Sequence, residues 1–164
     1  MDLESHFVIL ARYNRIANGR LFESCAQLDD SEYRRRRQGS FDSIHGLLNH
    51  ILLGDRIWMA RFEGGGHTTP KLSAELFHGF PDLRAARTEQ DARIETFFAY
   101  ISEAFLRTPL RYTNSEGREC VEEAPVAVLH LFNHQTHHRG QVHVMLSQTA
   151  VPPPSLDLHR IINP

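Results

Sequence analysis

Between residues 130 and 141 the chain reads HLFNHQTHHRGQ, which places four imidazoles, His130, His134, His137 and His138, in one short stretch. Four residues of α-helix turn the chain through about 400°, so His134 and His138 fall one turn apart on the same face. Two imidazoles at that spacing can share one metal ion. Both occupy the interior seam of an amphipathic helix, where Leu or Ile would otherwise sit. Leaving an imidazole or the nearby Gln141 amide buried without a partner costs roughly 1–3 kcal/mol each. Something must satisfy them. His137 lies about 60° off the shared face and is expected behind the ligands or at the surface.

A third ligand is available in SIHGLLNHILLGDRIW, residues 43–58, where His50 lies beside the apolar side carrying Leu47, Ile51 and Trp58. Gly54, one turn further on, leaves room for an ion or substrate. Three neutral imidazoles without thiolate or carboxylate suit a borderline divalent metal (zinc, nickel, iron or manganese) with positions left open for water. Open positions point to catalysis. On the same helix Asp55 is a candidate to orient a ligand imidazole or accept a proton, with a structural salt bridge to an arginine as the alternative. Asn14 reads either as a hydrogen bond across the core or as a substrate contact. His6, His67, His78, His143 and His159 read as surface or satisfied core residues, and so do His45 and His130.

The elements that must position these groups follow from periodicity. A first helix carries Leu3, Phe7, Leu10, Asn14, Ala17 and Leu21 on one seam and fades near Gln27. A short helical turn and a loop follow through DDSEYRRRRQGS. A second helix starts at Ser40 or Asp42, carries Ile44, Leu48, Ile51, Asp55, Trp58 and Phe62, and stops at Gly64-Gly65-Gly66. Residues 64–81 read as a crossover with one helical turn at Ser73 to Phe77. The third helix starts at Pro81, carries Gln90, Ile94, Phe97, Ile101 and Phe105, and is stopped by Pro109. A small hairpin with Tyr112 and Val121 in its strands and Asn114 to Gly117 in its turn precedes the last helix. That helix runs from Pro125 to Thr149, with Ala127, Leu131, His134, His138, Gln141, Met145 and Gln148 on its seam. The expected fold is all-α: an up-and-down four-helix bundle with a long crossover connection and a small β-hairpin before the last helix. Residues 1–164 form one domain, with 150–164 a Pro-rich tail.

Composition narrows the function. The 164 residues, 41% hydrophobic and 23% charged, describe an ordinary globular domain able to bury roughly 70% of its unfolded surface. Cys25 and Cys120 stand too far apart for a CxxC site, and a reducing compartment is expected. A formal charge of −2 gives no broad footprint for nucleic acid. The run Arg34 to Arg37 is flanked by Asp29, Asp30 and Glu32, so it reads as a solvated face. The N-terminus is no secretory signal and no apolar run reaches membrane-spanning length, so a cytoplasmic protein without membrane partners is expected. GxSxG, P-loop and GxGxxG motifs are all absent from the sequence.

Four stretches, YNRIAN at 13–18, LLNHILLGDRIW at 47–58, HLFNHQTHHRGQ at 130–141 and PPPSLDL at 152–158, together resemble the DinB family, named for a damage-inducible bacterial gene. The resemblance spans nearly the whole chain, and the family's metal triad falls on His50, His134 and His138. It implies a four-helix bundle holding zinc or nickel and forming homodimers. More distantly the chain is similar to thiol-dependent S-transferases and to mycothiol-dependent maleylpyruvate isomerase, which implies a low-molecular-weight thiol held at the metal. The expected function is therefore a metal-dependent S-transfer or hydrolysis on a small electrophile, with Asp55, Asn14 and Gln141 handling protons or orientation. The alternative is a non-catalytic, dimeric metal-binding protein of the damage or stress response.

Overall fold

The computed structural model describes residues 2–39, 41–65 and 74–163. These contain seven helices, α1 Leu3–Cys25, α2 Asp30–Arg34, α3 Ile44–Phe62, α4 Phe80–Ala99, α5 Glu103–Arg107, α6 Ala124–Leu146 and α7 Leu158–Ile162. A two-stranded antiparallel hairpin, β1 Leu110–Thr113 and β2 Glu119–Glu122, pairs Tyr112 with Cys120 and Arg111 with Val121.

Local chemistry sets the ends of the helices. Asp2 and Ser43 accept hydrogen bonds from the amides of Ser5 and Gly46, so each satisfies an otherwise orphaned first-turn donor. Ser43 takes the capping position expected of Ser40 or Asp42. Ser40 lies outside the described residues, and Asp42, at φ 58°, turns the chain into the helix. At the other end of α3, Gly64 adopts φ 75°, while the Gly65 and Gly64 amides donate to the carbonyls of Ala60 and Arg61. That pair of bonds is the Schellman closure, which favours glycine because a Cβ is strained at positive φ.

The third long helix is shorter than its apolar spacing implies. It ends at Ala99, and Ser102, extended at φ −115° and ψ 153°, caps the separate α5 by accepting from the Phe105 amide. Ile101 and Phe105 still pack on the same cluster, so the apolar rhythm survives the break. A turn was also expected at Ser73 to Phe77. Ser73 lies outside the described residues, and residues 74–77 are not helical. In the C-terminal tail, α7 forms and inserts Ile161 against Tyr13 and Ala17.

The four long helices pack as α1 with α4 and α6, and α3 with α6 and α4. One apolar cluster joins Leu21 and Phe22 of α1 to Ile44 and Leu47 of α3, Leu83 of α4 and Leu146 of α6. The other joins Phe7 of α1 to Met59 of α3, Phe98 of α4 and Val128 of α6. Hence α1 and α6 run one way while α3 and α4 run the other. This departs from strict up-and-down alternation, because the long connection between Phe62 and Phe80 returns the chain to the end where α3 starts. Within the seams, Leu3 (50% exposed) and Gln148 lie outside the core. Each arginine of the run 34–37 is ion-paired, with Asp30, Glu32, Asp42 and Glu32 respectively.

Candidate metal centre

Helices α3 and α6 carry His50 and the His134/His138 pair to one point. His50 Nε2 lies 3.1 Å from His134 Nε2 and 3.2 Å from His138 Nε2. One nitrogen from each ring falls within 4.8 Å of the others. For comparison, two nitrogens bound to one tetrahedral zinc at 2.0–2.1 Å lie about 3.3 Å apart. Spacing and donor set both fit a divalent ion.

Helix packing and hydrogen bonds aim the rings. His138 Nδ1–H donates to Gln141 Oε1 at 2.7 Å, which leaves the Nε2 lone pair directed at the other two rings. The Gln141 amide in turn donates to His137 Nε2 at 3.3 Å. Phe41 stacks on His50 with ring centroids 3.9 Å apart and meets the His138 ring edge-on. Gly54 makes room as expected, but for the His134 imidazole itself: a Cβ at that position would lie 2.7 Å from His134 Cε1.

Burial keeps the rings unprotonated. Burial, reinforced by the neighbouring His138 and His50, pushes His134 down to about 3. Burial also lowers His138, against the opposing hydrogen bond to Gln141. Both rings are therefore neutral at pH 7, and His134 Nδ1 is buried without a hydrogen-bond partner. Neutral imidazoles with convergent lone pairs are the protonation state a metal requires.

Asp55 and Asn14 belong to a different cluster. Asp55 is fully buried and accepts from Arg87 Nη1 at 2.6 Å and from the Gln135 amide. Arg87 also meets Asp91 at 2.9 Å, and Asp91 accepts from Asn18 at 2.9 Å and Asn14 at 3.3 Å. Arg139 completes the network by donating to Asn14 and, at 3.0 Å, to Gln135. Of the readings drawn from sequence for these two residues, the salt bridge and the hydrogen bond across the core are the ones realised. The Asp55 carboxylate is shut off from solvent, with Oδ2 holding both bonds and Oδ1 left without a partner. Gln135 and Arg139 follow the ligand histidines by one residue each, and Arg87 and Asp91 sit four apart on α4. Their spacing signals one shared face but not their partners.

His45 is engaged elsewhere. His45 bonds Tyr33 Oη at 3.0 Å and Glu75 at 2.9 Å, while Asn49 holds the Leu76 and Phe77 amides on its Oδ1. His67 lies outside the described residues. The thiol of Cys25 is buried and pushed up to about 12, so it is no thiolate at neutral pH.

The architecture and this site define a helical protein with a three-histidine cluster fit for a divalent metal. The sequence pattern of the DinB family matches residues 4–164. Protein DinB of Bacillus subtilis (strain 168) is 27% identical over 143 residues, which cover 85% of this chain and 83% of that protein. The chain belongs to the DinB family.

Proposed function

We propose that this protein is a metal-dependent enzyme in which His50, His134 and His138 hold a divalent cation, zinc or nickel foremost and iron or manganese next, within a four-helix bundle. The reaction is transfer of a low-molecular-weight thiol to a small electrophile, or hydrolysis of that electrophile by water. The carrying observation is the convergence of three imidazole nitrogens, with His50 Nε2 3.1 and 3.2 Å from its neighbours, and no acid among them. A bound divalent cation supplies Lewis acidity, favouring the deprotonated form of a thiol or water at neutral pH.

The chain's own residues then have distinct tasks. Gln141 fixes the tautomer of His138 and tethers His137, while Phe41 shields the His50 ring from water. Asp55 and Asn14, with Arg87, Asp91, Gln135 and Arg139, hold the two ligand helices in register and act as positioning residues. In the cell we place the protein in the cytoplasm as a homodimer without nucleic-acid partners, produced in response to damage. Metal content per chain, measured on untagged protein beside His138→Ala, tests the site. About one metal in the wild type and little in the variant is the expected result. Turnover of model electrophiles by the loaded protein, with and without added thiols, then tests the reaction.

A second reading, a structural metal without catalysis, draws on the low exposure of His50 (6%) and His138 (8%). It predicts a large loss of thermal stability on metal removal and no turnover above free metal with any thiol.

A further inference from the structure

The face of α3 that carries His50 and Gly54 continues to Trp58 and Arg61, at steps of four, four and three residues. The facing side of α6 continues from His138 and His134 to His130. The two faces stay in contact: the His130 ring lies 5.9 Å from that of His134 and 4.9 Å from that of Trp58. At the far end the Arg61 guanidinium is held between two aromatic rings, 4.5 Å from Trp58 and 4.1 Å from Tyr112. A continuous row of side chains thus leads from the three-histidine cluster to a half-buried cation.

Its surroundings differ from those of buried Arg87, which lies against Asp55 and Asp91, and of partly exposed Arg93, which lies against Glu63. Among the described residues, no carboxylate lies within ion-pairing distance of Arg61. The neighbouring acid, Glu122, accepts instead from Tyr112 Oη at 3.3 Å. Aromatic stacking fixes the guanidinium plane and part of its cost of ordering in advance, while its N–H fork keeps its affinity for a planar anion. Burial lowers the pKa of Arg61, in keeping with a guanidinium partly stripped of water.

We propose that Arg61, stacked between Trp58 and Tyr112, is a recognition site for the carboxylate of a ligand whose reacting end lies at the three-histidine cluster. The inference deepens the proposed function and rests on it for the position of the reacting end. It narrows the substrate class to small molecules carrying a carboxylate, either on the electrophile or on the thiol.

Trp58 is the sole tryptophan, so its fluorescence reports on this site directly. Metal-loaded wild-type protein is titrated with propionate, benzoate, benzamide, 3-mercaptopropionate and 2-mercaptoethanol, beside Arg61→Gln and Arg61→Lys. Circular dichroism establishes that each variant is folded. The expected result is a saturable change with the carboxylates and none with benzamide, weakened about tenfold or more in Arg61→Gln. Arg61→Lys, which keeps the charge and loses the planar fork, falls between. A gain of 3-mercaptopropionate over propionate assigns the carboxylate to the thiol. No saturable change with any carboxylate, or titrations unaltered in Arg61→Gln, overturns the proposal. If the protein takes up no metal yet carboxylates still bind through Arg61, the metal reading fails and the recognition site stands.

Discussion

Helices α3 and α6 each contribute to two buried polar clusters that differ in kind. Around Asp55, Arg87, Asp91 and Arg139 two carboxylates meet two guanidinium groups, and the side-chain amides of Asn14, Asn18 and Gln135 bridge them. The formal charges cancel, while Asp55 Oδ1 and the Nε atoms of Arg87 and Arg139 are buried without a hydrogen-bond partner. Around His50, His134 and His138 three bases face one another with no acid to supply a proton. The first cluster balances its charges within the polypeptide. The second converges three neutral nitrogens on one point, a donor set that could hold a divalent cation, and that difference marks it as the candidate functional one.

The comparison breaks most severely at Asp55. Replacing Asp55 with Ala leaves Arg87 buried beside a single carboxylate, and removing one partner of a buried pair costs about 3–5 kcal/mol. Urea denaturation of the metal-free protein should show that loss, with Asp55→Asn milder because it retains an acceptor. His138→Ala should behave in the opposite way: metal binding disappears while the metal-free protein changes far less. Equal destabilisation by Asp55→Ala and His138→Ala would erase the distinction between the clusters.

Gly54→Ala comes next. The added methyl meets the His134 ring, and overpacking of this sort costs roughly 1–3 kcal/mol. Since the strain falls on a ligand, competition with a chromophoric chelator should show weaker metal affinity than in wild type. Gln141→Ala leaves the core intact and frees the His138 tautomer. Loss of such an orienting partner typically lowers metal affinity 10–100-fold, and the same chelator assay measures it.

The residues that read most clearly from sequence are those whose chemistry is local to one helix. His134 and His138 announce themselves by a four-residue step, Gln141 by a three-residue step from His138, and His50 by its place on an apolar seam. The Asp55 cluster could not be resolved in that way. Its partners lie on other helices, and nothing in the spacing selects Arg87 over the remaining arginines. The room left by Gly54 was equally visible, but which atom fills it depends on how closely α3 and α6 approach. The break before α5 was hidden because Ile101 and Phe105 continue the apolar rhythm, leaving only Ser102 to signal a new start. Helix direction is likewise a property of the long connection rather than of any periodic segment.

The two clusters also oppose each other in acid, which is the finest test of the contrast. In the metal-free protein His134 titrates at about 3, against an ordinary value of 6.5. Its contribution to stability is complete above pH 6.5 and is lost as pH falls toward 3, because the unfolded chain takes up the proton first. Asp55 has the reverse sign. Burial, only partly offset by Arg87, pushes its carboxyl up to about 6 from 3.8. Its contribution is present below pH 3.8 and is lost as pH rises through 6. Between pH 6 and 4 the two slopes partly cancel in the wild type. Asp55→Asn removes the opposing slope, so urea midpoints of the metal-free variant should fall more steeply with acid than those of the wild type. His134→Leu removes the other slope and leaves that of Asp55, so its midpoints should rise as pH falls from 6 to 4. Parallel profiles for all three proteins would mean that neither cluster holds its protons as these environments require.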